Sequence, residues 1–175
     1  MPSETRDPID ALRGKARQIR LVCTDVDGVL TDGGMYYSEG GEELKKFNTR
    51  DGMGVARLHS AGIEVAMITS ENTELVARRA AKLKIKHLFQ GVQDKQKVVE
   101  GLINELQLGW PSVAYIGDDV NDLPVIGAVG LSAAVNDAME PVRDVADYVC
   151  ERVGGCAAFR EFAELILSSK SHASN

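Results

Sequence analysis

The sequence predicts an α/β fold: a parallel sheet with helices on both faces and one protruding β-hairpin. Three observations lead there. Short apolar runs alternate with segments of helical spacing through most of the 175 residues, a pattern that builds parallel sheets covered on both sides. Three of the runs end in polar clusters, at Asp25-Val26-Asp27, Thr69-Ser70 and Gly117-Asp118-Asp119, and open parallel sheets bind ligands at the carboxyl ends of their strands. One segment, 34–47, breaks the alternation with two strand-like runs around a glycine-containing turn, the signature of a hairpin.

In chain order, residues 1–18 read as a polar extension without the apolar centre of a secretory signal. Residues 19–23 form the first strand. The hairpin follows, its runs 34–37 and 43–47 flanking Ser38-Glu39-Gly40-Gly41, then a helix over 51–61 and a strand over 63–68. Residues 71–84 have helical spacing, with Leu75, Val76 and Leu83 on the apolar side. A strand over 86–89, a helix over 95–106 and a strand over 113–116 come next. A short helix at 123–128, strands at 130–134 and 148–150 and a helix at 161–168 complete a single domain, 19–167, and 168–175 is a tail expected to fray. A lone hairpin is marginal in water, so this one needs a partner surface in its own chain or another.

Composition limits the function. Apolar content of 44% and charged content of 26% are ordinary for a soluble chain. A net charge of −6 argues against nucleic acid or an anionic membrane as partner, and no apolar run approaches the length of a membrane span. Three cysteines, Cys23, Cys150 and Cys156, lack metal-type spacing; Cys23 reads as a small core residue. The expected location is cytoplasmic. His59 and His87 read as structural, and His172 falls in the tail.

The chemistry concentrates at Asp25-Val26-Asp27-Gly28-Val29-Leu30-Thr31-Asp32. Acids two residues apart on a strand point the same way, and like charges that close raise each other's pKa. The pair is at ease if a divalent cation, a phosphoryl group or both lie between them; the alternative is a solvated turn served by Asp and Gly. A calcium loop of the EF-hand type is excluded, because Val29 and Leu30 stand where it needs an oxygen ligand and a glycine. Thr69 taken alone could cap a helix, Lys95 could be a solvated first-turn lysine, and the Asp118 cluster could be a capped turn. Acids, hydroxyls, lysine and acids on successive strand ends are much harder to obtain by chance.

With those residues in place, the chain resembles haloacid-dehalogenase-superfamily phosphatases of Rossmann-like fold. Asp25 to Thr31 match the first motif, Asp-x-Asp-Gly-x-x-Thr; Thr69 matches the second, Lys95 the third, and Gly117 to Asp122 the fourth, Gly-Asp-Asp-x-x-Asp. The resemblance implies that Asp25 is a nucleophile forming an aspartyl-phosphate and that Asp27 acts as acid and then base. It implies Mg²⁺ held by the Asp25 carboxylate, the Asp27 carbonyl and Asp118, with Asp119 and Asp122 completing or orienting that shell. Thr69, the Ser70 N–H and Lys95 are implied as phosphoryl ligands. Between the first two motifs there is room only for the hairpin and one helix, so no cap domain is expected.

Gly33 to Tyr37, Glu42 to Asn48 and Arg50 to Gly54 carry the likeness further, to the capless 3-deoxy-2-ulosonate phosphate phosphatases. That implies a small anionic sugar-acid phosphate as substrate and a homotetramer joined through the hairpin. Family members also carry a Gly-Gly-x-Gly-Ala-x-Arg-Glu tail; here Ala157 replaces its third glycine. One branch acts on 3-deoxy-D-manno-octulosonate 8-phosphate (KDO 8-phosphate) and usually has Thr-Gly-Arg at the second motif. This chain has Thr69-Ser70-Glu71, closer to the branch acting on 2-keto-3-deoxynononate 9-phosphate (KDN 9-phosphate). Glu71, Arg79, Lys82 and Arg50 are the implied substrate residues, an acid suiting sugar hydroxyls and cations suiting a carboxylate; the other reading of Glu71 to Lys82 is a charged helix face. Two other classes compete: a non-catalytic regulatory domain of sialic-acid activation, and a receiver-type phosphoacceptor domain. The intact motifs disfavour the first, and the order of the acidic clusters disfavours the second.

Overall fold

β1 (Leu21–Thr24) is buried at every position and lies in the middle of a six-stranded sheet. In the computed structural model, which describes residues 8–171, this sheet runs β5 (His87–Phe89), β4 (Glu64–Ile68), β1, β6 (Val113–Gly117), β7 (Leu131–Ala134), β8 (Tyr148–Val149), with every pairing parallel. β1, β6 and β7 are buried along their whole lengths, which is why they read as continuous apolar runs without alternation.

The chain steps from β1 to β4 to β5 in one direction and from β6 to β7 to β8 in the other. With right-handed crossovers that reversal puts α2 (Thr49–Ser60) and α3 (Glu74–Lys82) on one face. It puts α4 (Lys95–Glu105), α5 (Leu123–Ile126) and α6 (Glu140–Val145) on the other. α7 (Ala158–Ser171) returns to pack on α2 and on α1 (Pro8–Gln18). The reversal also opens a crevice at the carboxyl end of β1, between β4 and β6.

The expected fold is present, and the element bounds differ for identifiable reasons. The stretch read as a polar extension contains α1, whose apolar stripe is narrow: Leu12 is half-buried and Ala16 buried. Ties to α7 hold it, from Arg17 Nε to the Ser169 carbonyl (3.2 Å) and from Lys170 Nζ to the Arg17 carbonyl (2.7 Å). α3 starts after residue 71 because the Thr73 hydroxyl accepts from Val76 N–H and caps it. α6 was not expected. α7 begins earlier and ends later than 161–168, running through the residues expected to start fraying. The hairpin is shorter: β2 (Tyr36–Ser38) pairs with β3 (Gly41–Leu44), and Phe47 returns separately to bridge Thr31.

Cys23 and Cys150 are buried and Cys156 is exposed, all as free thiols. His87 stands 3.7 Å from Glu64 at the amino end of the sheet, and His59 lies in α2; His172 is outside the described residues. No helix among the described residues is long and apolar enough to cross a membrane.

Candidate active site

β1 stops at Thr24, so Asp25 and Asp27 are not strand neighbours pointing one way through alternation. They are brought together by a tight turn in which Leu30 N–H and Thr31 N–H both donate to the Val26 carbonyl, at 2.9 and 3.0 Å. Asp25 N–H still bonds the Ile116 carbonyl (3.1 Å), extending the ladder by one residue. Gly28 turns the chain at φ +95°, and a Cβ there would lie 2.0 Å from Asp118 Oδ2, so the motif glycine supplies both the turn and the space. The buried Thr31 hydroxyl accepts from Gly28 N–H and Gly33 N–H and closes the loop.

Lys95, the first residue of α4, is 3% exposed and reaches the site from the opposite face of the sheet. Its ammonium donates to Asp25 Oδ1 (2.5 Å) and Asp122 Oδ1 (2.6 Å). Asp122 is fully occupied besides: Tyr115 OH donates to Oδ1 (2.6 Å) and Asp118 N–H to Oδ2 (3.0 Å). Asp25, Asp118 and Asp122 offer oxygens that all lie within 4.8 Å of one another. One lysine does not offset three clustered acids. Burial and then the neighbouring Asp122 drive the Asp25 carboxyl well above its ordinary range despite Lys95. Burial, again with Asp122, lifts Asp118 to about 7. Burial pulls Lys95 downward, yet Asp25 and Asp122 outweigh it and the net movement is upward. The cluster is short of positive charge.

Across the cavity, buried Thr69 ends the β4 segment, its N–H bonded to the Phe89 carbonyl (2.9 Å). Its hydroxyl donates to Asp27 Oδ2 (3.2 Å) and accepts from Glu71 N–H (3.1 Å). The cavity is about 170 Å³, lined by Asp25, Asp27, Thr69, Ser70, Glu71, Asp118, Asp119 and Asn121. A larger open groove of about 680 Å³ runs along β5 and the start of α4, but its walls hold no such convergence of acids and hydroxyls.

Other expected residues sit elsewhere. Arg79 is half-buried, donates to the Asn48 carbonyl (2.8 Å) and lies over the Phe47 ring at 5.3 Å, so within this chain it braces the base of the hairpin. Lys82 is exposed in the last turn of α3, and a helix that follows a parallel strand runs back towards the strands' amino ends, away from the cavity. Arg50 is exposed in the first turn of α2. Asp119 lines the cavity, and its carboxylate caps its own turn through Val120 N–H (2.6 Å).

Sequence reasoning missed Lys45, whose ammonium is 2.6 Å from Asp27 Oδ1; it gave no role to Tyr115 or to Asn121. The tail comes to the site directly: Gly155 N–H bonds the Val29 carbonyl (2.9 Å), and a Cβ on Gly154 would lie 1.8 Å from the Gly28 carbonyl oxygen. Ala157, standing for the family glycine, keeps the left-handed conformation at φ +75°.

The profile of the haloacid dehalogenase-like hydrolase family matches residues 87–154. The chain is 46% identical over 161 residues to the 3-deoxy-D-manno-octulosonate 8-phosphate phosphatase of Escherichia coli, covering 91% of this chain and 86% of the relative. The crystal structure of the phosphatase of that name from Yersinia pestis superposes with a TM-score of 0.91 at 44% identity, over 95% of this chain and 90% of that one. The Moraxella catarrhalis phosphatase, solved with magnesium ion, phosphate ion and a KDO molecule, gives 0.91 at 38% identity, over 94% and 95%. With the four motifs converging on one cavity in a sheet of this topology, the chain belongs to the 3-deoxy-D-manno-octulosonate 8-phosphate phosphatase family of haloacid dehalogenase-like hydrolases.

Proposed function

We propose that this protein is a Mg²⁺-dependent phosphomonoesterase acting on a phosphorylated 3-deoxy-2-ulosonic acid. The observation that carries the reading is Lys95 bridging Asp25 and Asp122 at the floor of the cavity while Asp27 and Thr69 stand together on its wall. The cluster fits a hard divalent cation: its donors are all oxygens, and burial, with Asp122 beside them, raises the Asp25 and Asp118 carboxyls. The Asp25 and Asp118 carboxylates and the Asp27 carbonyl would hold it, with Asp119 and Asp122 orienting them. The bound ion supplies charge neutralisation for the acids and the phosphoryl group.

Asp25 attacks phosphorus in line and becomes an aspartyl-phosphate. Asp27 gives its proton to the leaving alkoxide and later takes one from the water that frees Asp25. Thr69, the Ser70 N–H and the remaining N–H of Lys95 hold the phosphoryl oxygens, so most of the catalysis is positioning and charge. The complete set of acids, hydroxyl and lysine supports turnover over a non-catalytic or phosphoacceptor role.

The names of the similar phosphatases favour KDO 8-phosphate as substrate. Glu71 favours the second reading, KDN 9-phosphate, because it lines the cavity beside Thr69 where the octulosonate branch usually has arginine. The exposed Tyr37 (66%) and Leu44 (60%) of the hairpin support a homotetramer in which neighbouring hairpins cover them, in a cytoplasmic enzyme of one domain, 19–167. In that assembly Arg50, Arg79 and Lys82 stay candidate substrate contacts.

A substrate panel tests the reading: KDO 8-phosphate, KDN 9-phosphate, N-acetylneuraminate 9-phosphate and p-nitrophenyl phosphate, each with Mg²⁺ and with EDTA. One ulosonate phosphate should exceed p-nitrophenyl phosphate in kcat/KM, and chelation should silence all activity until Mg²⁺ is restored. Activity in thoroughly chelated protein contradicts the metal role.

A further inference from the structure

We infer that Lys45 is a positioning residue for Asp27, so that the base of the hairpin is part of the proton-transfer apparatus. The inference rests on the phosphatase function proposed above.

Lys45 directly follows β3 and lies between exposed Leu44 and exposed Lys46. Its own side chain is only 1% exposed. A lysine in a surface hairpin normally keeps its ammonium in water, and a buried ammonium persists only when paired. Here it has two carboxylates: Asp27 Oδ1 at 2.6 Å, a hydrogen bond, and Glu42 Oε1 at 3.0 Å, an ion pair off the hydrogen-bond direction.

The two oxygens of Asp27 are therefore held from different elements. Thr69 holds Oδ2 from the end of β4, and Lys45 holds Oδ1 from the hairpin. Both contacts fix the plane of the carboxyl, but they differ in durability. The Thr69 hydroxyl is the group that turns to a phosphoryl oxygen when substrate binds. Lys45 is then the contact that keeps Asp27 aimed at the leaving oxygen, where small misplacements are expensive in rate.

The lysine can do this because its backbone is anchored. Two residues on, Phe47 bridges Thr31 of the catalytic turn; Arg79 lies over the Phe47 ring and bonds the Asn48 carbonyl; Asn48 Nδ2 bonds the Gly155 carbonyl (3.2 Å). Lys45 thus stands on the fixed base of the hairpin, away from its turn.

The step at stake is proton transfer to the bridging oxygen as Asp25 bonds phosphorus and the P–O bond breaks: the proton is carried on Asp27 Oδ2, the oxygen that Thr69 releases, while Oδ1 keeps accepting from Lys45. A sugar alkoxide needs that proton, whereas p-nitrophenolate leaves as a stable anion without it. The test is kcat/KM for wild type, Lys45→Met, Lys45→Arg, Asp27→Asn and the Lys45→Met/Asp27→Asn pair, on p-nitrophenyl phosphate and the better of the two ulosonate phosphates. Lys45→Met should lower the sugar-to-aryl ratio by about a hundredfold, the lower end of what general acid catalysis contributes, and Lys45→Arg should keep a larger share of it. Asp27→Asn should lower the same ratio, and the double variant should lower it no further. Equal loss on both substrates, or losses that multiply in the double variant, would overturn the assignment and leave the phosphatase reading standing. A wild type inactive on both phosphates overturns that reading itself. If Lys45→Met fails to fold, Lys45→Gln and Lys45→Arg carry the same ratio test.

Discussion

The floor of the cavity and its rim are built in opposite ways. On the floor, Asp25, Asp122 and Lys95 are nine-tenths or more buried, and every charge meets another at hydrogen-bond distance. Tyr115 beneath them is fully buried and donates its only proton to Asp122. On the rim, Ser70, Glu71 and Asp119 are exposed, and Tyr36, Tyr37 and Leu44 of the hairpin leave apolar surface open to water. A floor of that kind fixes which bond is broken. A rim of that kind leaves the remainder of the substrate to be chosen by whatever else approaches it, another subunit included. The reaction is accordingly written in one chain more fully than the sugar is.

Four experiments sharpen or break this comparison. The largest effect belongs to the floor. Asp25→Asn should abolish phosphate release and leave the fold intact, because Lys95 keeps Asp122 as its partner. Full activity in this variant would sink the covalent mechanism.

Next comes a buried acid outside the cavity, in the first turn of α2. Asp51 is 2% exposed and accepts from Arg160 N–H (2.9 Å). Burial raises it to about 6, above the ordinary 3.8. A raised acid contributes stability that is complete below pH 3.8 and lost as pH rises through 6, at most about 3 kcal/mol. Asp51→Asn should remove that portion of the decline between pH 4 and 7, read as a difference from wild type in urea unfolding with Mg²⁺ present. Parallel curves for the two proteins would mean that Asp51 is already compensated in the fold.

A rim residue should do less. Glu71→Arg should shift the ratio of kcat/KM values for nononate over octulosonate phosphate by about tenfold towards the octulosonate, or about 1.4 kcal/mol. An unchanged ratio would remove Glu71 from specificity.

The smallest effect is expected at Ala157. Relief of its left-handed strain, about 1–2 kcal/mol, is opposed by the added chain entropy of glycine and by a lost buried methyl of about 0.8 kcal/mol. Ala157→Gly should therefore change unfolding free energy by less than about 0.5 kcal/mol; a large gain would show that the tail is under strain.

Much of the site was legible in the sequence because its acids and hydroxyl follow strand ends, where type and order speak together. Asp25, Thr69 and Asp118 directly follow β1, β4 and β6, and Lys95 opens the helix after β5, although the strand alternation expected to pair Asp25 with Asp27 gives way to a turn. What was illegible depends on register or distant contact. Lys45 reaches Asp27 because β3 ends at Leu44 and Phe47 bridges Thr31, and no periodicity encodes that. Arg79 and Lys82 looked equivalent as cations on one helix. Packing turns Arg79 onto Phe47 and Asn48 and leaves Lys82 in water at the far end. α1 was missed because its apolar stripe is too narrow to stand out from its charges, and α7 supplies the surface it needs.

The contact between Gly154 and the Gly28 carbonyl has a consequence for anyone moving this machinery. Its two sides are far apart in sequence yet meet with no room for a methyl group, and a Cβ on Gly155 would lie 2.5 Å from Asp32 N. The turn at 25–32 is therefore not a portable loop. A graft of residues 25–32 into another scaffold has to bring the glycine pair with it, and a library that varies one side has to hold the other constant.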